Sequence, residues 1–204
     1  MTALARPTPK RRRGETRQRL LESALSVFAR HGFDRATVDE IVREAGFSKG
    51  AFYVHFESKE DLFWAMLEER ISRQQEAFRQ TLDPGVPLSD NVHTVLSGIF
   101  GLHLQDPLWS AMFMEFAAHA ARDERVREKL AAMYNSWRTF AVEALNGALE
   151  AGAVRQDIDP EFIASLLIAI VEGTIMQSRL APEHVRLEQM IEPLSRMLGE
   201  WLSP

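Results

Sequence analysis

Residues 48–59, SKGAFYVHFESK, bring together side chains that bind phosphate: a hydroxyl at Ser48, ammonium groups at Lys49 and Lys59, a phenol at Tyr53 and an imidazole at His55. Each donates hydrogen bonds and two carry positive charge, so the chemistry they suit is contact with the oxygens of a polyanion. Gly50 gives up about 1 kcal/mol of helix propensity against alanine. In exchange, no Cβ keeps another molecule from its backbone. Ala51 is small enough to meet a thymine methyl. Phe52 and Phe56, four apart, are expected to anchor an inner face against Leu25, Phe28 and Ile41, leaving Tyr53 and His55 outward.

The flanking pattern supplies the elements that hold such a segment. Leu21, Ala24, Leu25 and Phe28 recur at helical spacing, and Gly32 ends that helix. Thr37 and Glu40 have the spacing of a capping box, in which hydroxyl and carboxylate each satisfy an amide at a helix start. Val38, Ile41, Val42 and Ala45 form the apolar stripe of this helix, and Gly46 breaks it. Ser48 is placed to cap a short helix to about residue 54. Ser58 with Asp61 opens a long helix to about residue 82. Two short helices joined by a glycine turn and preceded by a third make a helix-turn-helix, whose second short helix enters the major groove of double-stranded DNA.

Beyond the loop DPGVPLSD (83–90), the periodicity predicts helices over about 89–104, 107–121, 124–150, 160–180 and 184–202. No segment alternates with period two. The expectation is an all-α chain of about nine helices: an N-terminal three-helix DNA-binding domain and a C-terminal ligand-binding and dimerisation domain. The expected division is a disordered basic arm over 1–13, the helix-turn-helix over 14–60 and the C-terminal domain over 61–204. The arm's KRRRGE (10–15) suits phosphates or a minor groove, and equally a solubilising tail.

Charge follows the same division. Residues 1–59 hold 12 basic and 7 acidic side chains, whereas the remainder holds 12 and 22, within a net charge of -5. Only the head is therefore expected to meet a polyanion. The chain has no cysteine, which excludes disulfides, thiolate metal sites and a cysteine nucleophile and fits a reducing cytoplasm. The apolar run FIASLLIAIV (162–171) reads as too short to cross a bilayer, and the basic N-terminus lacks the apolar stretch of a signal peptide. A phosphate-cradling glycine loop, a nucleophile elbow and a His-Glu-x-x-His pattern are all missing, so neither an enzyme nor a cofactor is expected. Glu115 and His119 are four apart on one helix, which reads as a solvated pair before a metal site. The competing class is a helical sensor or interaction protein without specific DNA binding.

Residues 20–67, LLESALSVFARHGFDRATVDEIVREAGFSKGAFYVHFESKEDLFWAML, closely resemble the DNA-binding domain of the TetR family of bacterial transcriptional regulators. The resemblance rests on Ser-Lys-Gly, the Tyr, the His two residues on, and Phe-x-x-Lys. It implies that Thr37, Tyr53, His55 and Lys59 hold the DNA backbone, while Ser48, Lys49, Gly50 and Ala51 meet bases. Phe52 departs mildly from the leucine more usual there.

The family also implies an inducer pocket in the C-terminal half. That half is rich in aromatic and methionine stripes, which suit an apolar or aromatic small molecule. The expected lining is Met66, Phe100, Met112, Phe116, Trp137, Phe140 and Met176, with His103, Glu115 and Asn135 as polar contacts. Helix 160–180 is apolar nearly all round, and the last helix has a heptad-like stripe. Leu166, Leu167, Ile170, Leu187, Ile191, Leu194, Leu198 and Trp201 are therefore expected in a homodimer interface. Two-fold symmetry then predicts a palindromic operator.

Overall fold

The computed structural model describes residues 9–83 and 85–204, which form nine α-helices and no strand. They are α1 (Pro9–Arg35), α2 (Val38–Ala45), α3 (Lys49–Tyr53), α4 (Lys59–Thr81), α5 (Leu88–Gln105), α6 (Pro107–His119), α7 (Glu124–Glu150), α8 (Pro160–Leu180) and α9 (Leu187–Leu202). Residues 1–8 of the expected arm lie outside the described residues, and residues 9–13 already belong to α1.

The chain divides into two compact units: Met1–Arg70 with Leu108–Arg127, and Ile71–Pro107 with Glu128–Pro204. This runs differently from the expected boundary at residue 60. Helix α4 contributes to both units, and α6 joins the first.

In the first unit, Leu20, Leu21, Ala24, Val27 and Phe28 of α1 pack inward with Ile41, Val42 and Ala45 of α2, and Phe52 and Phe56 are buried with them. Leu25, expected in this core, is 40% exposed, and Val27 is buried. The inward stripe of α1 runs 20, 21, 24, 27, 28, a set that 100° per residue keeps on one side. A ring cluster closes the unit from the α6 side. Phe63 lies 4.7 Å from Phe116 and stacks on Trp109 at 5.3 Å, while Phe33 meets Phe116 edge-on at 5.5 Å. Burying such rings is the main favourable term, roughly 25 cal/mol per Å² of apolar surface.

In the second unit, α5 runs along α9. Leu96 and Phe100 of α5, Ile175 of α8, and Leu187 and Leu194 of α9 form one core cluster. Leu145, Val154, Ile163, Ala164 and Leu202 form another. The helices approach closely at Gly199, where an added Cβ would stand 2.8 Å from the Ser89 Cβ and 3.1 Å from its Cα.

This packing accounts for much of the apolar stripe assigned to a partner. Leu187, Leu194 and Leu198 are buried in the chain's own core, and Leu167, Ile170 and Ile191 pack partly buried against the two clusters. The stripe of α9 faces the apolar side of α5, with Leu187 and Leu194 in one cluster with Leu96 and Phe100. Trp201 remains exposed, together with Met197 four residues earlier. On α8, Phe162, Met176 and Leu180 project outward along one face with Ala169 and Gly173; Leu166 is half-buried. The ten-residue apolar run of α8 sits in a helix of 21 residues, an 18-residue stretch of which has mean hydropathy 1.4, long and apolar enough to cross a bilayer by length and composition alone. Its Ile163, Ala164, Thr174 and Ile175 are buried within the second unit.

Candidate nucleic-acid interface

The helix-turn-helix forms through the local chemistry expected of it. The Thr37 hydroxyl accepts from the Glu40 N–H at 3.3 Å, and the Glu40 carboxylate accepts from the Thr37 N–H at 2.9 Å. The same carboxylate accepts a hydrogen bond from the Thr37 hydroxyl at 2.8 Å. These bonds hold the Glu40 carboxyl below the usual range. Gly46 closes α2 at φ 72°, ψ 32°, a left-handed conformation that L side chains rarely adopt. Arg19 of α1 braces this turn, donating to the Ala45 carbonyl at 2.8 Å and lying over the Phe47 ring.

Ser48 then caps α3 by accepting from the Ala51 N–H at 3.2 Å. Ser48, Lys49, Gly50 and Tyr53 are exposed, Ala51 and His55 are half-buried, and Phe52 and Phe56 are buried. One face of α3 is thus spent on the core and the other presented outward. A Cβ on Gly50 would meet only the Ser48 Oγ, at 3.7 Å, and its φ is not positive. The position thus has room for a side chain and no backbone need for glycine.

Several of these side chains already have partners. Lys49 pairs with Asp39 of α2 at 2.9 Å, both partners more than half exposed. The Lys59 ammonium donates to the Phe33 carbonyl at 2.7 Å and the Asp34 carbonyl at 3.2 Å, and lies over the Phe33 ring at 4.4 Å. Burial lowers its pKa, while Glu60, Asp34 and Glu115 pull it back up. Lys59 thus closes the end of α1.

Two arginines of α1 flank the end of α3: Arg13, which belongs to the arm KRRRGE, and Arg17, which the sequence reading did not single out. Arg13 reaches the Val54 carbonyl at 3.4 Å, and Arg17 lies over the Phe56 ring. Both stand near His55, whose pKa is lowered first by burial and then by these two arginines. The spacing of Arg13 and Arg17, four apart on α1, was the available signal.

The expected pocket residues divide between the units. Met66, Met112, Glu115 and Phe116 belong to the first, and Phe100, His103, Asn135, Trp137, Phe140 and Met176 to the second. Met112 and Phe116 are fully enclosed core. Glu115 accepts hydrogen bonds from the backbone amides of Phe33 and Asp34, at 2.7 and 3.2 Å. Phe100 sits in the α5–α8–α9 core, the Asn135 carbonyl accepts from Arg138 at 2.6 Å, and Met176 is 42% exposed. The His103 ring bonds the Ile99 carbonyl at 2.9 Å. Trp137 and Phe140 meet Phe78 in a ring cluster. The second unit also holds a polar pair that periodicity does not reveal: Glu172 of α8, its carboxyl pushed up by burial, hydrogen-bonds Tyr134 of α7. Among the described residues no group of acids and histidines is arranged to hold a metal.

Comparison with known proteins agrees with this architecture. Residues 20–66 match the family described as bacterial regulatory proteins, tetR family, and residues 88–203 match the BetI-type transcriptional repressor C-terminal family. The transcriptional repressor DhaR of Mycobacterium sp. (strain GP1) is 29% identical over 188 residues, covering 91% of this chain and 90% of that one. The repressor AcnR of Corynebacterium glutamicum is 28% identical over 169 residues, covering 81% and 82%. Salmonella enterica GusR superposes with a TM-score of 0.73 at 29% identity, over 91% of this chain and 96% of that one. A TetR transcription regulator from Haloarcula marismortui has a TM-score of 0.78 over 94% and 100% of the two chains; at 16% identity it speaks for the fold alone.

Proposed function

This chain belongs to the TetR family of transcriptional regulators, and from that premise we propose that it is a repressor that binds a palindromic operator as a homodimer and leaves it when a small, largely apolar or aromatic inducer binds the C-terminal half. It is a DNA-binding regulator and not an enzyme. Its work lies in the cytoplasm, with the chromosome.

The observation that carries this reading is the two-sided α3. Its outer face offers Ser48, Lys49, Gly50 and Tyr53, and its inner face is locked by Phe52 and Phe56. A rigid, small-residue surface flanked by donors is what base-edge contact needs. Ser48, Lys49, Gly50 and Ala51 meet bases, and Thr37, Tyr53 and His55 hold phosphates. Lys59 gives two of its three N–H bonds to α1 and so serves the backbone from a fixed position. The Lys49–Asp39 pair is exposed and screened by solvent, so a phosphate or a base edge can replace Asp39.

The outward apolar face of α8, with Met197 and Trp201 of α9, supports a two-fold partner. Two such heads would stand about 34 Å apart, one helical turn of DNA. The ring cluster of Phe78, Trp137 and Phe140 and the Glu172–Tyr134 pair support an aromatic or apolar ligand with a polar handle.

The test is selection of bound fragments from genomic DNA, with a Lys49→Ala/Tyr53→Ala variant in parallel. Enrichment of one palindromic sequence by the wild type alone is the expected result. Binding that is sequence-blind and equal in the two proteins would overturn the reading.

A further inference from the structure

Helix α6 lies far from the helix-turn-helix in sequence, yet it grips the first unit at one turn. Gly32, at φ 75°, ends the regular part of α1. The backbone of the next two residues, Phe33 and Asp34, is held from both sides. Their N–H groups donate to the Glu115 carboxylate, and their carbonyls accept from the Lys59 ammonium. A Cβ on Gly32 would stand 3.0 Å from that carboxylate, so the backbone has been brought up to the acid. His119, one turn on from Glu115, pairs with the Asp34 side chain at 2.6 Å and packs edge-on against the Phe33 ring.

Three residues after Asp34 stands Thr37, which caps α2. Only Arg35 and Ala36 separate the anchored Phe33–Asp34 backbone from the start of α2. Lys59 is seated by the same two residues, because its ammonium rests on their carbonyls. Bonds to a carboxylate are roughly twice as strong as neutral ones, and Glu115 also favours the charged form of Lys59.

We propose that Glu115 is a positioning residue for DNA recognition: through the Phe33–Asp34 peptides it sets the start of α2 and the seat of Lys59, with His119 clamping Asp34 beside it. This rests on the DNA-binding reading above. It moves Glu115 from a ligand contact to the reading head, and gives the Glu115–His119 spacing a use that needs neither metal nor solvent.

The test uses the full chain with Glu115→Ala, Glu115→Gln, Lys59→Ala and the double variant Glu115→Ala/Lys59→Ala. Each is titrated with the selected duplex and with a scrambled duplex of equal length. Amide exchange over residues 31–45 is followed in the same proteins.

Glu115→Ala is expected to weaken the selected duplex about tenfold, the scale of a lost charged hydrogen bond. The scrambled duplex should stay within about twofold, because bulk phosphate attraction does not need register. Glu115→Gln, which keeps an acceptor oxygen, should recover part of the loss. The double variant should be no worse than Lys59→Ala, because the two act through one peptide pair. Equal losses on both duplexes, no loss on either, or losses that multiply in the double variant would overturn the proposal. A wild type that selects no sequence would defeat the DNA-binding reading. The exchange measurement still decides in that case: faster exchange of the α2 amides in Glu115→Gln supports the clamp, and unchanged exchange removes it. The same measurement serves if Glu115→Ala does not fold.

Discussion

His55 sits where two arginines of α1 approach the end of α3, and burial with their charge favours its neutral imidazole. The sign follows. A base with a lowered folded pKa gives its full share of stability above the ordinary value near 6.5, and loses it as pH falls through the lowered one. A phosphate laid beside the ring reverses the preference, because an anion favours imidazolium. Operator affinity is therefore expected to rise as pH falls from about 8 to about 6, with uptake approaching one proton. His55→Gln should flatten that dependence in a titration repeated across this range; an unchanged slope would mean that His55 does not meet phosphate. At this scale the sequence was readable in residue type but not in partner. Lysine's stem is long enough to serve a phosphate or a carbonyl, and only the fold shows that Lys59 closes α1. Glu115 was read as a pocket acid because nothing in its own helix marks two backbone amides 82 and 81 positions away.

Helices were the most legible level, because their signals are local. Thr37–Glu40, Gly46 and Ser48 mark their own boundaries by hydrogen bonds within four residues, and each is formed. Less legible was what each apolar stripe faces, since periodicity gives a direction but not a neighbour. The stripe of α9 suited a partner chain and α5 equally, and Leu187, Leu194 and Leu198 turn to the chain's own core. Gly199 records that choice. Its missing Cβ lets α9 lie against the backbone of Ser89, which has little room to retreat. Gly199→Ala is expected to cost about 1–3 kcal/mol by overpacking, read as a lower urea midpoint with an unchanged slope. A neutral result would mean that α5 and α9 slide apart easily.

Across the whole chain, the first unit is assembled from two separated stretches, and the backbone passes between units after Arg70, after Pro107 and after Arg127. No sequence periodicity carries that information, because it depends on where α6 ends up and not on what α6 is. The rings of Phe33, Phe63, Trp109 and Phe116 belong to both stretches, as do the bonds of Glu115 and His119. Severing the stretches would strip one side of that ring cluster.

Regulators of this kind invite recombination, in which the operator preference of one parent is grafted onto the sensor of another. The interleaved first unit sets the terms of such a graft. A splice at residue 60 transplants α1 to α3 but strands Phe33 and Asp34 opposite a foreign α6. A chimera that also carries donor residues 61–70 and 108–127 keeps the clamp and the rings as inherited. It is expected to melt within a few degrees of its parents, whereas the single-splice chimera loses about 5 °C or more, the shift that 1–2 kcal/mol produces in a chain this size. Heritable specificity in this molecule thus travels as two linked pieces of sequence, and a breakpoint between them separates a reader from the part that keeps it aligned.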